Sequence, residues 1–339
     1  MKAPGKVKLA FYLFGFGGAA LFTGLLIRQG AGAVGQAVAA AGWALLAIAL
    51  YHLLVPVLLD AIAWWVLFPR SQRPSLYQLF WMRWVGESVS TLVPSAAVGG
   101  DIVRARLASI DSNAPLAVSA ASVLVDLTLG VFTQAAFTLL GVFLLVNATG
   151  QKSFVGPTLV GVLTAVVAVG GFYIVQRLGM FRFLALMISK LAGSDEWHSL
   201  VESGATLDQT VRELYGRTRG VIWCCVVTVA SLIGGSGEIW IALRALGLHA
   251  TVMNALIFQS MALTIRSAAF AVPAGIGVQE GGYVVVGNLL GIPGEAAFAL
   301  SLIARVRELA IGIPGLLMWQ IVEGRRLLRG RSVATVEES

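Results

Sequence analysis

The 339-residue sequence is 58% hydrophobic and only 12% charged, with a mean hydropathy of +0.84. Soluble domains carry roughly a quarter charged residues, and apolar runs of about 20 residues, long enough to cross a bilayer, recur from end to end, which excludes a soluble enzyme or a separate soluble domain. The net charge of +7 reads as membrane topology, not as a nucleic-acid footprint.

Lys2, Lys6 and Lys8 precede the apolar run Leu9–Ile27. That run is too long for a signal-peptide core of about 7–15 residues, so a first transmembrane helix with a cytoplasmic N-terminus is expected. A second crossing, about Trp43–Phe68, contains Pro56 and Asp60 and ends near the interfacial pair Trp64-Trp65. Leu76–Ile110 follows, apolar but broken at Pro94 and Gly99-Gly100, and loaded with Arg83, Glu87, Asp101, Arg104 and Arg106. Ionisable groups cost several kcal/mol each in lipid. Broken backbone survives at membrane depth only against protein or a watery cavity. The stretch therefore reads as two half-helices of a re-entrant hairpin.

A third crossing, about Leu116–Val146, carries Asp126, and a fourth covers roughly Gly156–Gln176. The one long polar segment, 177–219, is basic and places Phe181, Leu184, Ile188 and Leu191 at helical spacing. It is expected to form amphipathic helices on the inner leaflet. A fifth crossing, about Val221–Leu246, holds Glu238. A second broken hairpin spans about Val252–Leu290, a sixth crossing about Ala296–Ile321, and an Arg-rich, finally acidic tail occupies 327–339. Most of the 24 lysines and arginines fall on the cytoplasmic side of this layout, which favours re-entry over two full crossings. The adjacent Cys224 and Cys225 point apart on a helix and read as small apolar side chains.

The two broken stretches are related. Val93-Pro94 and Val272-Pro273 are each followed by six residues and a carboxylate, Asp101 or Glu280, at an offset of 179 residues. At that offset Glu87 corresponds to Arg266, Ser122 to Ser301 and Asp126 to Arg305, while Asp60 corresponds to Glu238 one step out of register. The expectation is an all-α polytopic membrane protein with six transmembrane helices and two re-entrant hairpins. Residues 1–326 form one membrane domain of two repeats, about 9–146 and 156–322. An odd number of crossings per repeat makes them inverted, an arrangement many secondary transporters use to bind substrate between discontinuous helices.

Gly99-Gly100-Asp101-Ile-Val-Arg104 resembles the Gly-Gly-Asp-x-x-Arg signature of the lysylphosphatidylglycerol synthase transmembrane (flippase-like) family. Pro273-Ala-Gly-Ile-Gly-Val-Gln-Glu280 resembles its second signature, and Gly277–Tyr283 is similar to the branch associated with hopanoid biosynthesis. The resemblance covers roughly Leu9–Arg326. It implies movement of a lipid or lipid-linked headgroup between leaflets of a bacterial-type inner membrane. The soluble aminoacyl-transferase domain of full-length synthases has no counterpart in these residues, so lipid aminoacylation is not expected of them.

Candidate substrate-binding residues are Arg83, Glu87, Asp101, Arg104, Arg266 and Glu280, with Asp60, Asp126, Glu238, Arg305, Arg307 and Glu308 in a second tier. Glu87 and Arg266 suggest a pair or two parts of one cavity wall. Asp101 and Glu280 serve equally as helix caps or as substrate contacts. Pro94, Gly99, Gly100, Pro273, Gly275 and Gly277 are candidate hinges. His52, His198 and His249 show no ligand spacing, and no nucleophile, zinc or phosphate-loop motif is present, so no catalysis, metal or cofactor is expected. The expected partners are a membrane lipid and lipid-biosynthesis enzymes. An ion-coupled small-solute transporter and an intramembrane lipid-headgroup enzyme remain as alternatives.

Overall fold

The computed structural model describes residues 42–92, 99–112, 114–150, 152–153, 155–183, 198–268 and 277–337. The first expected crossing and the candidate hinges Pro94, Pro273 and Gly275 lie outside them. Among the described residues the regular structure is helical, with no strand.

Four helices are long and apolar enough to cross a membrane: α1 (Ala44–Leu67), α4 (Leu116–Thr149), α5 (Val155–Leu178) and α7 (Thr218–Ala245). They coincide with the second to fifth expected crossings. Between them lie α2 (Leu76–Leu92), α3 (Gly99–Asp111), α6 (His198–Gly216), α8 (Val252–Ala268) and α9 (Val278–Leu289), and α10 (Gly294–Glu337) closes the series. The expected sixth crossing is the first part of α10. Its charges at Arg305, Arg307 and Glu308 keep it apart from the four by composition. At about 1.5 Å per residue, the 44 residues of α10 far outrun a hydrocarbon core of about 30 Å, and they run on as helix through most of the expected tail.

Two series of helices follow one order. Moved by 179 residues, the start of α3 at Gly99 falls on that of α9 at Val278, and that of α4 falls one residue from that of α10. Contacts are exchanged between the series as well. α2 packs on α10 and α8 on α4, while α1 packs on α7. α1 and α7 run antiparallel along their length: Tyr51 donates to the Gly234 carbonyl (3.0 Å), Ser231 to that of Pro56 (3.2 Å) and Arg217 to that of Leu67 (2.6 Å). Val55 sits against Gly234, its own counterpart at the 179 offset.

The first hairpin pair, α2 and α3, is antiparallel. Gln78 Nε2 donates to the Asp111 carbonyl at 2.8 Å, and Gly86 faces Gly100 near the other end. A side chain on Gly100 would collide with the Gly86 carbonyl and Ser90 Oγ, so Gly100 is a backbone-to-backbone packing contact inside α3, not a hinge, and Gly99 is the first helical residue beside it. Gly277 does take a hinge-like conformation, with φ +82° immediately before α9, a region that glycine enters without cost.

Polar segment 177–219 docks more deeply than a surface helix would. On α6, Val211 and Leu214 are buried in the cluster around Trp64 and Phe68. The buried Asp208 carboxylate accepts from the N–H groups of Phe181 (3.1 Å) and Arg182 (2.8 Å), capping the turn after α5 from another helix. Tyr215 donates to Gln176 at 2.8 Å, and burial pushes its phenol up to about 12. By contrast α5 is almost unburied, with Leu159, Leu163 and Val167 exposed, a face suited to lipid.

Gly100→Val should destabilise the protein by about 1–3 kcal/mol or more through overpacking. Gly130→Ala, where an added methyl meets nothing within 4 Å, should be neutral or stabilising by about 0.5–1 kcal/mol. Thermal unfolding in detergent measures both, and equal effects would contradict the packing assignment.

Candidate functional site

Charged residues collect on helix faces that point at one another. Ile48, His52, Pro56 and Asp60 recur every fourth residue on α1, and Arg83, Gly86, Glu87 and Ser90 recur at spacings of three and four on α2. Such spacings align side chains on one face. With Glu238 of α7, Arg266 of α8 and Arg307 and Glu308 of α10, they enclose a cavity of about 360 Å³. Both series of helices contribute to its wall.

Pro56 shapes the α1 side. Lacking an N–H, it cannot bond the carbonyl four residues back, that of His52, and Leu53–Val57 widens into a π turn. Wide turns of this kind often occur at functional positions.

One network belongs to the first series. Arg83 donates to Asp60 (2.8 Å) and to Asp126 (3.2 Å), and Arg104 donates to the same Asp126 oxygen (2.6 Å) and to Asp101 (2.8 Å). Arg104 is 1% exposed and lies over the Trp64 ring, 5.1 Å from its centroid, where the ring face favours a cation. Trp64 is fixed by donating to Ser122 at 2.9 Å.

A second network belongs mainly to the other series. Glu308 accepts from Arg266 (2.7 Å) and from Arg305 (3.3 Å), and Arg305 also reaches Glu280 (3.2 Å). Glu238 accepts from Arg307 and contacts His52 Nδ1 at 2.7 Å, while His52 Nε2 contacts Glu87 at 2.8 Å. His52 thereby ties Glu87, from the first series, into the second network.

Of the six first-rank candidates, Arg83, Glu87, Asp101, Arg104 and Arg266 line the cavity. Glu280 stands behind the lining. It is buried, one oxygen accepting the Gly277 N–H at 2.6 Å and the other holding Arg305, so here it acts as a helix cap. Asp101 faces the cavity and Arg104 together. In the second tier, Asp60, Glu238, Arg307 and Glu308 line the cavity, while Asp126 and Arg305 support it from behind. Glu87 and Arg266 share the wall, but each has another partner, His52 and Glu308 respectively.

Sequence reasoning missed His52. The available signal was Pro56, one turn further along an apolar helix and on the same face. Among the described residues no cluster of His, Cys, Asp and Glu is arranged to hold a metal ion.

A family model described as the lysylphosphatidylglycerol synthase TM region matches residues 9–315, most of the chain. The chain belongs to this family. No curated protein and no solved structure matches it. As a member of the lysylphosphatidylglycerol synthase TM-region family it is a multi-pass helical membrane protein, and its cavity lies within the matched residues.

Arg104→Met leaves the buried Asp126 with Arg83 alone and removes the arginine of Asp101, and should cost up to about 3–5 kcal/mol, the scale for breaking a buried pair. Adding Asp126→Asn should recover part of that loss, since Arg83 keeps Asp60. Unfolding in detergent of both single variants and the double variant tests this, and strictly additive losses would contradict a coupled network.

Proposed function

We propose that this protein is a lipid translocase that carries a polar headgroup through the charged cavity while the acyl chains stay in the bilayer. The observation that carries the reading is one cavity walled by ion pairs from both series of helices. Two of its lining residues, Arg104 and Arg307, each keep a buried donor, Nη2 and Nε, with no acceptor among the described residues. Donors without acceptors favour a ligand rich in oxygen, as a phosphate is. A volume of about 360 Å³ is at the low end of the usual ligand range of about 300–1,000 Å³. It suits a headgroup and excludes a whole two-chain lipid.

The repeats are read as inverted. A two-fold relation between two antiparallel spanning helices, α1 and α7, requires an axis across the helices and hence in the membrane plane. The exchanged contacts, α2 on α10 and α8 on α4, are what such an axis generates. The hairpins α2–α3 and α8–α9 are then re-entrant, and the cavity between them opens to alternate sides as they rock against the α1–α7 pair. The protein is assigned to a bacterial-type cytoplasmic membrane with both termini inside, and its role is transport without chemical change of the lipid. Hopanoid-type and aminoacylated lipids are the substrate candidates.

Leaflet exchange of a fluorescent phospholipid in proteoliposomes tests this reading. Glu87→Gln and Arg266→Gln should each slow exchange by about tenfold or more, the loss of one charge-assisted hydrogen bond. Lys152→Gln, at an exposed position, should leave it unchanged. Equal effects would remove the case for the cavity, and conversion of the lipid into a new product would make the protein an enzyme.

The layout is tested by labelling. After replacement of Cys224 and Cys225, cysteines at Lys152 and Arg212 should react with an impermeant reagent from opposite sides, 152 from outside. Labelling of position 212 from the outside would overturn the re-entrant hairpins, since full crossings would invert the segment that holds it.

A further inference from the structure

His52 is clasped by two carboxylates from different parts of the fold: Nδ1 lies 2.7 Å from Glu238 Oε1 and Nε2 lies 2.8 Å from Glu87 Oε1. Contacts that short need a hydrogen atom between nitrogen and oxygen. A neutral imidazole carries one N–H, and an ionised carboxylate carries none. Two contacts to two ionised acids therefore need one proton more than a neutral ring supplies. Glu238 also accepts from Arg307 at its other oxygen, which favours its ionised form.

The groups facing the ring are few. Glu87 comes from α2, with Arg83 one turn away, Glu238 from α7, and Arg307 from α10, its Nη1 3.3 Å from Nδ1 and its other nitrogen toward Glu308. Arg307 is the charge that opposes a cation on the ring, and the two carboxylates are the charges that hold one there.

We propose that Glu87, His52 and Glu238 form a proton-binding site that couples headgroup movement to a transmembrane proton gradient. The inference rests on the translocase reading for what is coupled, but not for the site itself. The extra proton resides on His52. His52 and Glu238 belong to the antiparallel α1–α7 pair, whereas Glu87 belongs to the hairpin arm α2. Displacement of that arm parts Nε2 from Glu87, whose side chain is already 35% exposed, and opens a route for the proton to water. An anionic headgroup engaging Arg307 draws it away from Glu238 and leaves the protonated ring as that carboxylate's counter-ion. Proton and anion therefore bind with mutual support, reciprocally by linkage, and travel in the same direction. The proton comes from water on one side and returns to water on the other, and no covalent bond to the lipid forms or breaks.

Two measurements on the full chain decide the matter. In nanodiscs, ¹⁵N-histidine spectra contain three residues, His52, His198 and His249, and His52→Asn identifies the first. At neutral pH, His52 should be doubly protonated in the wild type, and neutral in both Glu87→Gln and Glu238→Gln. A neutral wild-type ring would overturn the site. In vesicles of phosphatidylethanolamine and phosphatidylglycerol, exchange of tail-labelled phosphatidylglycerol is compared with a pH gradient imposed and with the gradient collapsed by a protonophore. The wild-type ratio should be at least about fivefold, the low end of ordinary coupling between sites, and His52→Gln should show no response. A gradient-independent wild-type rate would overturn the coupling even with a protonated His52. No exchange under either condition would instead refute the translocase reading, and the spectra would still decide whether the proton site exists.

Discussion

An ionised group at membrane depth must find a partner, and most of the architecture follows from that constraint. Desolvating a charge costs several kcal/mol even after the protein relaxes, so each guanidinium and carboxylate at the cavity is committed to another. Asp126 accepts from two arginines at once, and Glu308 is approached by Arg266, Arg305 and Arg307. Sharing of this kind ties α1, α2, α3 and α4 into one polar knot and α8, α9 and α10 into another. His52 joins the two through Glu87 and Glu238. The apolar clusters fill the space around these knots, but they do not choose the partners.

The two halves meet the constraint with opposite signs. In the first, the hairpin helix α3 supplies Arg104 and the long helix α4 supplies Asp126. In the second, the hairpin helix α9 supplies Glu280 and the long helix α10 supplies Arg305, the counterpart of Asp126. Glu280 is the counterpart of Asp101, whereas Arg104 corresponds to Tyr283, so the second half draws the hairpin member of its pair from a different position. Individual positions can therefore change while each half still closes an ion pair between its hairpin helix and its long helix. Near the contact of α1 with α7, where Val55 meets its counterpart Gly234, there is no such freedom: one of the two positions must be small.

The helices from α1 to α9 were legible in the sequence because local chemistry encodes them. A carboxylate at the third helical residue, Asp101 or Glu280, marks the start of α3 and of α9. The residues of the cavity were legible as a set, since an ionisable side chain inside an apolar run has few other places to go. Their partners were not. Glu87 and Arg266 correspond at the 179 offset, yet correspondence in sequence does not put two side chains in contact, and each pairs instead with what lies beside it in space, His52 and Glu308. Glu280 read equally as a helix cap and as a substrate contact until the Gly277 turn and Arg305 claimed both its oxygens. Gly100 looked like a hinge because glycine signals both bending and close packing; the neighbouring Gly86 carbonyl decides for packing. The docking of α6 was hidden because Val211 and Leu214 sit in a charged segment whose composition suggests a surface.

A polar cavity built from paired charges serves translocation only if a headgroup enters it and displaces some of those pairs. The direct measurement is an experimental structure of the full chain in phospholipid nanodiscs. Phosphate density within hydrogen-bonding distance of Arg104 and Arg307, with the acyl chains extending out between helices, is the predicted result. A cavity holding only water while ordered headgroups line the outer face of α5 would contradict the account.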